Sequence, residues 1–222
     1  MLHKTLRKSF WLVLALVLLW SSAWSTVAAA KSSPVTVSIH NDAAIPSGIL
    51  LQAEAEASRV FQHSGLEIRW SNCPLPAAGP VDPAQCEAAD FPLHLQLRIA
   101  KHSLNLNEFT MGVSYLSADG TGCYADLFYD RAEHLHEISG ASLASILGHA
   151  IAHELGHLLL GTNSHSPAGI MRARWQPADL ASASKGALLF STLESHAMKN
   201  MLDTWPTRKN DDSHIATARP GD

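Results

Sequence analysis

Beyond its first thirty residues the sequence has no apolar run long enough to cross a membrane, no internal repeat and no surplus of positive charge. The first absence argues against a later span, which needs about 20 consecutive apolar residues. The last argues against nucleic acid as a partner, because such binding rests on cationic contacts to phosphate. The formal net charge is −4, and losing Lys4, Arg7 and Lys8 with residues 1–30 takes it to −7. Cysteine is scarce as well: Cys73, Cys86 and Cys123 are the whole set. None lies near residue 30, which argues against lipid attachment there. The 222 residues suit one domain with a sizeable core.

What is present at the start is a leader pattern. His3, Lys4, Arg7 and Lys8 make a basic beginning, Phe10 to Trp20 is uncharged and apolar, and Ala28-Ala29-Ala30 offers a small-residue cleavage site. That order is a secretory signal peptide over 1–30, with an uncleaved anchor as the alternative. The expected location is therefore secreted or periplasmic. In such an oxidising compartment a cysteine pair is expected to bridge. Cys73 and Cys86 flank a Pro/Ala/Gly-rich loop that a disulfide would staple, leaving Cys123 as a buried free thiol in a strand.

Periodicity supplies the elements. Val35–His40 alternates and is β-branched, so it reads as a strand. From Pro46 to about His63, Ile49, Leu50, Ala53, Ala57, Val60 and Phe61 recur at helical spacing. Strands follow at 66–70, 93–99, 111–116 and 123–129. Residues 142–160 form a long helix capped by Ser142 and stopped by Gly161, and 177–203 are helical again with a break near Gly186. Residues 206–222 are polar and expected to be disordered. This order makes an α+β domain, a mixed sheet beside a mostly helical C-terminal part.

The helix at 142–160 carries the chemistry. His153 and His157 stand four residues apart, about one helical turn, so both imidazoles project from one face and can grip one ion. Glu154 sits beside that ion without needing to bind it, where a carboxylate can take a proton from metal-bound water and pass it on. With 13 histidines in the chain, chance gives this H-E-x-x-H spacing roughly 0.03 times. The other face of the helix is apolar: Leu143, Ile146, Leu147, Ile151, Leu155 and Leu158. A catalytic zinc site normally has three protein ligands and one open position. Candidates for the third are His149, His165, Asp179, Glu194 and His196. His149 lies one turn before His153 on the same rigid helix and is read as a supporting group. His165 follows Gly161, where a left-handed turn can bring the chain back beneath the ion. It is the preferred ligand.

The segment resembles the metzincin clan of zinc peptidases, whose pattern is H-E-x-x-H-x-x-G-x-x-H followed by a Met-containing turn. His153, Glu154 and His157 match directly. Gly161 stands one place later than the pattern's glycine and His165 two places later than its third histidine, so the return loop is longer. Met171, in "SPAGIM", fits the Met-turn. The resemblance extends more weakly over residues 35–203, and it implies a metzincin-like catalytic domain over 31–205. It further implies Zn2+ as cofactor, His153, His157 and His165 as ligands, Glu154 as general base and then acid, Met171 as an apolar support beneath them, and a peptide or protein as substrate. "GVSYL", 112–116, is the candidate edge strand for an extended substrate. No residue is assigned as oxyanion donor. Only Lys31 to Pro34 separates the expected cleavage site from the first strand, which leaves no room for an inhibitory propeptide. The rival ligand set replaces His165 with Glu194 from the later helix, as in gluzincin-like sites. Two other functions stand beside the peptidase: a non-catalytic zinc-binding or interaction protein of the same fold, and a metal-dependent amidase acting on a non-protein amide.

Overall fold

The computed structural model describes residues 33–73, 86, 88–102, 106–107 and 109–217, with side chains described as far as 205. The expected signal peptide, 1–30, lies outside the described residues, as does nearly all of the loop between Cys73 and Cys86.

Five strands form one mixed sheet: β1 Val35–His40, β2 Ile68–Cys73, β3 His94–Ala100, β4 Gly112–Tyr115 and β5 Tyr124–Phe128, in the order β2-β1-β3-β5-β4. β1 pairs in parallel with β2 and β3, and β3 in parallel with β5, whereas β4 runs antiparallel to β5 at the sheet edge. The alternation expected of β3 is present, with Leu95, Leu97 and Ile99 fully buried on one face. β2 lies later than expected, ending at Cys73, and a disulfide joins Cys73 to Cys86. Cys123 is free and half-buried just outside β5, and burial pushes its thiol pKa up. Asp126 of β5 ties the edge together. Its carboxylate accepts from Arg98 Nε of β3 at 2.9 Å and from the Tyr115 hydroxyl of β4 at 2.9 Å.

The helices are α1 Ser47–His63, α2 Tyr129–Ser139, α3 Leu143–Leu160, α4 Pro177–Ser184 and α5 Thr192–Thr217. α1 turns Leu50, Ala53, Ala57, Val60 and Phe61 inward, as its spacing predicts. It packs on α3 so closely that a Cβ added at Gly148 would stand 2.6 Å from the Ala53 carbonyl oxygen. Leu147, Ile151, Leu155 and Leu158 of α3 are at 0 % exposure. Each such side chain contributes about 1.5–3 kcal/mol on burial, which fixes this helix firmly in the interior.

Several expectations need correction. α2 is a helix where the sequence reading placed no element after the strand at 123–129. Ser142 occupies the N-cap of α3, but its side chain makes no capping bond, and its carbonyl instead accepts the Ile146 N–H at 2.9 Å. α3 is, by length and composition, apolar enough to cross a membrane, contrary to the expectation for the later chain, and 78 % of it is buried inside the fold. α5 begins at Thr192 after the break near Gly186 and continues to Thr217, beyond the helical stretch expected to end at 203. Trp205 of α5 packs edge-on against Phe91 with ring centroids 4.8 Å apart.

Candidate metal centre

α3 brings His153 and His157 to one face, and Gly161 ends the helix in the left-handed conformation at φ 66°. The chain returns beneath the helix and delivers His165. The ligand-capable atoms of His153, His157 and His165 lie within 4.8 Å of one another. The ring centroids of His165 stand 5.4 Å from those of His153 and 4.9 Å from those of His157. His153 and His157 are buried and His165 is exposed, so the cluster opens on its third member.

Backbone carbonyls decide which nitrogens face inward. His153 Nδ1 lies 2.7 Å from the Ile170 carbonyl oxygen, and His157 Nδ1 lies 2.8 Å from that of Thr162. A carbonyl only accepts, so each Nδ1 carries the proton and each Nε2 is left with a lone pair. Those two Nε2 atoms are 3.1 Å apart. Two lone pairs held face to face repel unless a cation lies between them. The spacing is close to the roughly 3.3 Å edge of a tetrahedron with Zn–N bonds of about 2.0–2.1 Å. Burial drives the His153 pKa down to about 3, with the neighbouring His157 and His165 adding to the effect. His157 and His165 are lowered by burial too. Neutral imidazoles are the form that binds metal.

The surrounding groups hold this geometry. The Ile170 carbonyl also accepts the Trp175 indole N–H at 3.0 Å. Met171 is buried at 1 % exposure beneath α3, and its carbonyl accepts the Ser166 N–H at 2.8 Å. Arg172 grips the Pro167 carbonyl through Nε at 2.8 Å and Asp179 through a terminal nitrogen at 3.0 Å. The loop from 162 to 172 is therefore ordered without a regular element.

Glu154 is buried beside His153. Burial raises its carboxyl pKa to about 7, against the lowering effect of the Ser114 hydroxyl. Ser114 Oγ lies 2.8 Å from Glu154 Oε2 and 2.8 Å from the Glu154 carbonyl oxygen. A carboxyl poised near neutrality is suited to accept and return a proton. Gly112 makes room for it: an added Cβ there would stand 2.6 Å from Glu154 Cγ.

The other candidates are placed elsewhere. Glu194 accepts the Ser191 N–H at 2.7 Å and the Ser166 hydroxyl in a short bond, so it caps α5 and clamps the return loop. His149 is wholly buried with Nδ1 on the Ser145 carbonyl, and its Nε2 faces Glu56 at 3.9 Å. Asp179 accepts the Gln176 N–H at the start of α4, and His196 is exposed on α5. None of the four belongs to the histidine cluster. Sequence reasoning missed Ser114 and Trp175. Ser114 stood within the edge strand already singled out, and a hydroxyl on that strand was the available signal.

An open groove of about 1700 Å³ runs past the cluster between β4, α2 and the segment after Met171. No family model matches the chain. No curated protein matches it. Solved structures do. One is a zinc-dependent peptidase from Methanocorpusculum labreanum (strain Z), at 16 % identity and TM-score 0.49, over 73 % of this chain and 99 % of that one. Another is an archaemetzincin from Methanopyrus kandleri, at 16 % identity and TM-score 0.47, over 77 % of this chain and 97 % of that one.

Proposed function

We propose that the chain is an exported zinc-dependent peptidase. His153, His157 and His165 hold one Zn2+, and Glu154 handles the protons of hydrolysis. The observation that carries this reading is the pair of carbonyl-anchored imidazoles whose Nε2 lone pairs converge at 3.1 Å, with a third imidazole beside them. Zinc held by three imidazoles with one open position polarises a carbonyl and lowers the pKa of a water.

The chain's own residues do the rest. Ile170 and Thr162 fix the tautomers of the two helical ligands. Glu154, held up to about 7, takes a proton on its carboxylate and returns it to a leaving amine. Ser114 fixes the direction of that carboxylate. Among the described residues β4 is an edge strand of the sheet and lies along the groove, where an extended peptide can add its backbone hydrogen bonds. Export is supported by the leader pattern in 1–30 and by the Cys73–Cys86 disulfide, which suits an oxidising compartment.

The test is metal content together with hydrolysis. The protein purified without residues 1–30 is expected to carry about one equivalent of zinc, and His165→Ala to lose most of it. Glu154→Gln is expected to keep the zinc and to cleave nothing in a broad peptide library that the wild type cleaves without chelator. A wild type that binds zinc yet cleaves no peptide would overturn the peptidase reading.

A further inference from the structure

The chain has more acid than base, 20 Asp and Glu against 16 Lys and Arg, whereas the described residues lining its groove include more cations than carboxylates. Among the described residues lining it, Arg131, Arg172 and Arg174 are the permanently charged ones, and Glu154 is the single carboxylate. Arg172 is committed to Asp179 and to the Pro167 carbonyl. Arg174 is different. Its guanidinium carbon sits 3.4 Å from the centroid of the Phe109 ring. Arg174 follows the Met171 turn and Phe109 precedes β4, so the stack joins the two walls between which a substrate would lie. Among the described residues no carboxylate pairs with Arg174, and its side chain is exposed.

A guanidinium lying on an aromatic ring is held in one plane, with the ring occupying a face. Its N–H donors point outward along the edge. That edge matches the two oxygens of a carboxylate, and holding the plane beforehand reduces the ordering cost of binding one. We propose that Arg174 binds a carboxylate of the substrate, so that the groove favours peptides that present one there. The carboxylate has two possible sources, an Asp or Glu side chain or the peptide's own C-terminus. The proposal rests on the peptidase reading for the identity of the occupant as a peptide, but its test does not require cleavage.

The experiment uses the zinc-loaded Glu154→Gln protein and fluorescein-labelled peptides that differ only by Glu or Gln at one scanned position, each with a free or an amidated C-terminus. Affinity is read by anisotropy at low and high salt. Glu peptides are expected to bind about tenfold more tightly than their Gln partners at low salt, and the ratio should shrink as salt rises. If the free C-terminus carries the preference instead, the chain end is the carboxylate bound. Adding Arg174→Gln should bring the ratio to within about twofold, and Phe109→Leu, which frees the guanidinium, should lower it partway. Equal binding of all four peptide types, or a preference that survives Arg174→Gln, would overturn the proposal. Failure of the wild type to cleave any of these peptides would count against the hydrolytic reading alone, since the affinity ratios are measured without turnover.

Discussion

Gly112→Ala isolates the placement of the proton-handling carboxyl from the metal site. Gly112 does not have a positive φ, so alanine is free of backbone penalty there and only space is at issue. The added Cβ would stand 2.5 Å from the Asp126 carbonyl oxygen, 2.6 Å from Glu154 Cγ and 2.7 Å from Glu154 Cδ. The Asp126 oxygen belongs to β5, opposite Val113 in the antiparallel pair, and yields only if the edge strand splays. Glu154 is the softer neighbour, although Ser114 holds its Oε2 at 2.8 Å. Reaching ordinary contact requires Glu154 to retreat by roughly 0.8 Å. Overpacking of this kind costs about 1–3 kcal/mol of stability, and a displacement near 1 Å costs about 100-fold in rate. For a domain of this size each kcal/mol lowers the melting temperature by about 2–4 °C. The expected result is full zinc content, kcat/KM down by about two orders of magnitude and a melt lowered by several degrees. Gly48→Ala is the control, because nothing lies within 4 Å of its added Cβ. Wild-type kcat/KM in Gly112→Ala, measured on the best library peptide, would refute the reasoning that the position of Glu154 sets the rate.

Two further outcomes follow from the same geometry. Glu194→Ala removes the acceptor for Ser191 N–H and for the Ser166 hydroxyl, and should lower stability by about 1–2 kcal/mol in a denaturant melt while zinc stays bound; loss of the zinc would restore Glu194 as a ligand. The metal-free protein should lose stability as pH falls from 6.5 towards 3, because His153, depressed to about 3, stays unprotonated in the fold while its unfolded counterpart takes up a proton. His157 and His165 act in the same direction. Glu154, raised from 4.5 to about 7, opposes them by binding a proton in the fold, so Glu154→Gln should steepen the decline. A Glu154→Gln midpoint that falls no more steeply than the wild type's between pH 7 and pH 5 would sink this account.

What could be read from the sequence was whatever a side-chain period encodes. His153 and His157 share a face because the helix repeats every 3.6 residues, and Gly161 announces the turn that returns His165. The rest depends on contacts that leave no periodic mark. α2 went unread because it is polar, with Ala132 its one fully buried residue, so no apolar stripe betrays it. Ser114 meets Glu154 across 40 positions of sequence, and only the docking of β4 beside α3 brings them together. The carbonyls of Ile170 and Thr162 orient two imidazoles, yet every residue has a carbonyl and none is visible as a letter. Glu194 could be weighed as a ligand from composition alone, but its service as a cap depends on α5 starting at Thr192, and the break near Gly186 does not specify that position.

The carbonyl-anchored imidazoles also bear on when and how an ion is acquired. Their rings are aimed by Ile170 and Thr162, with Trp175 steadying the first, so the orientation of both helical ligands is settled by folding itself. On the zinc reading, an ion would enter a socket already formed from the exposed His165 side and leave the same way, without refolding. Three neutral imidazoles can bind several divalent transition ions, so on the zinc reading the tetrahedral spacing of the socket and the metal supply of the compartment together would decide which ion resides there.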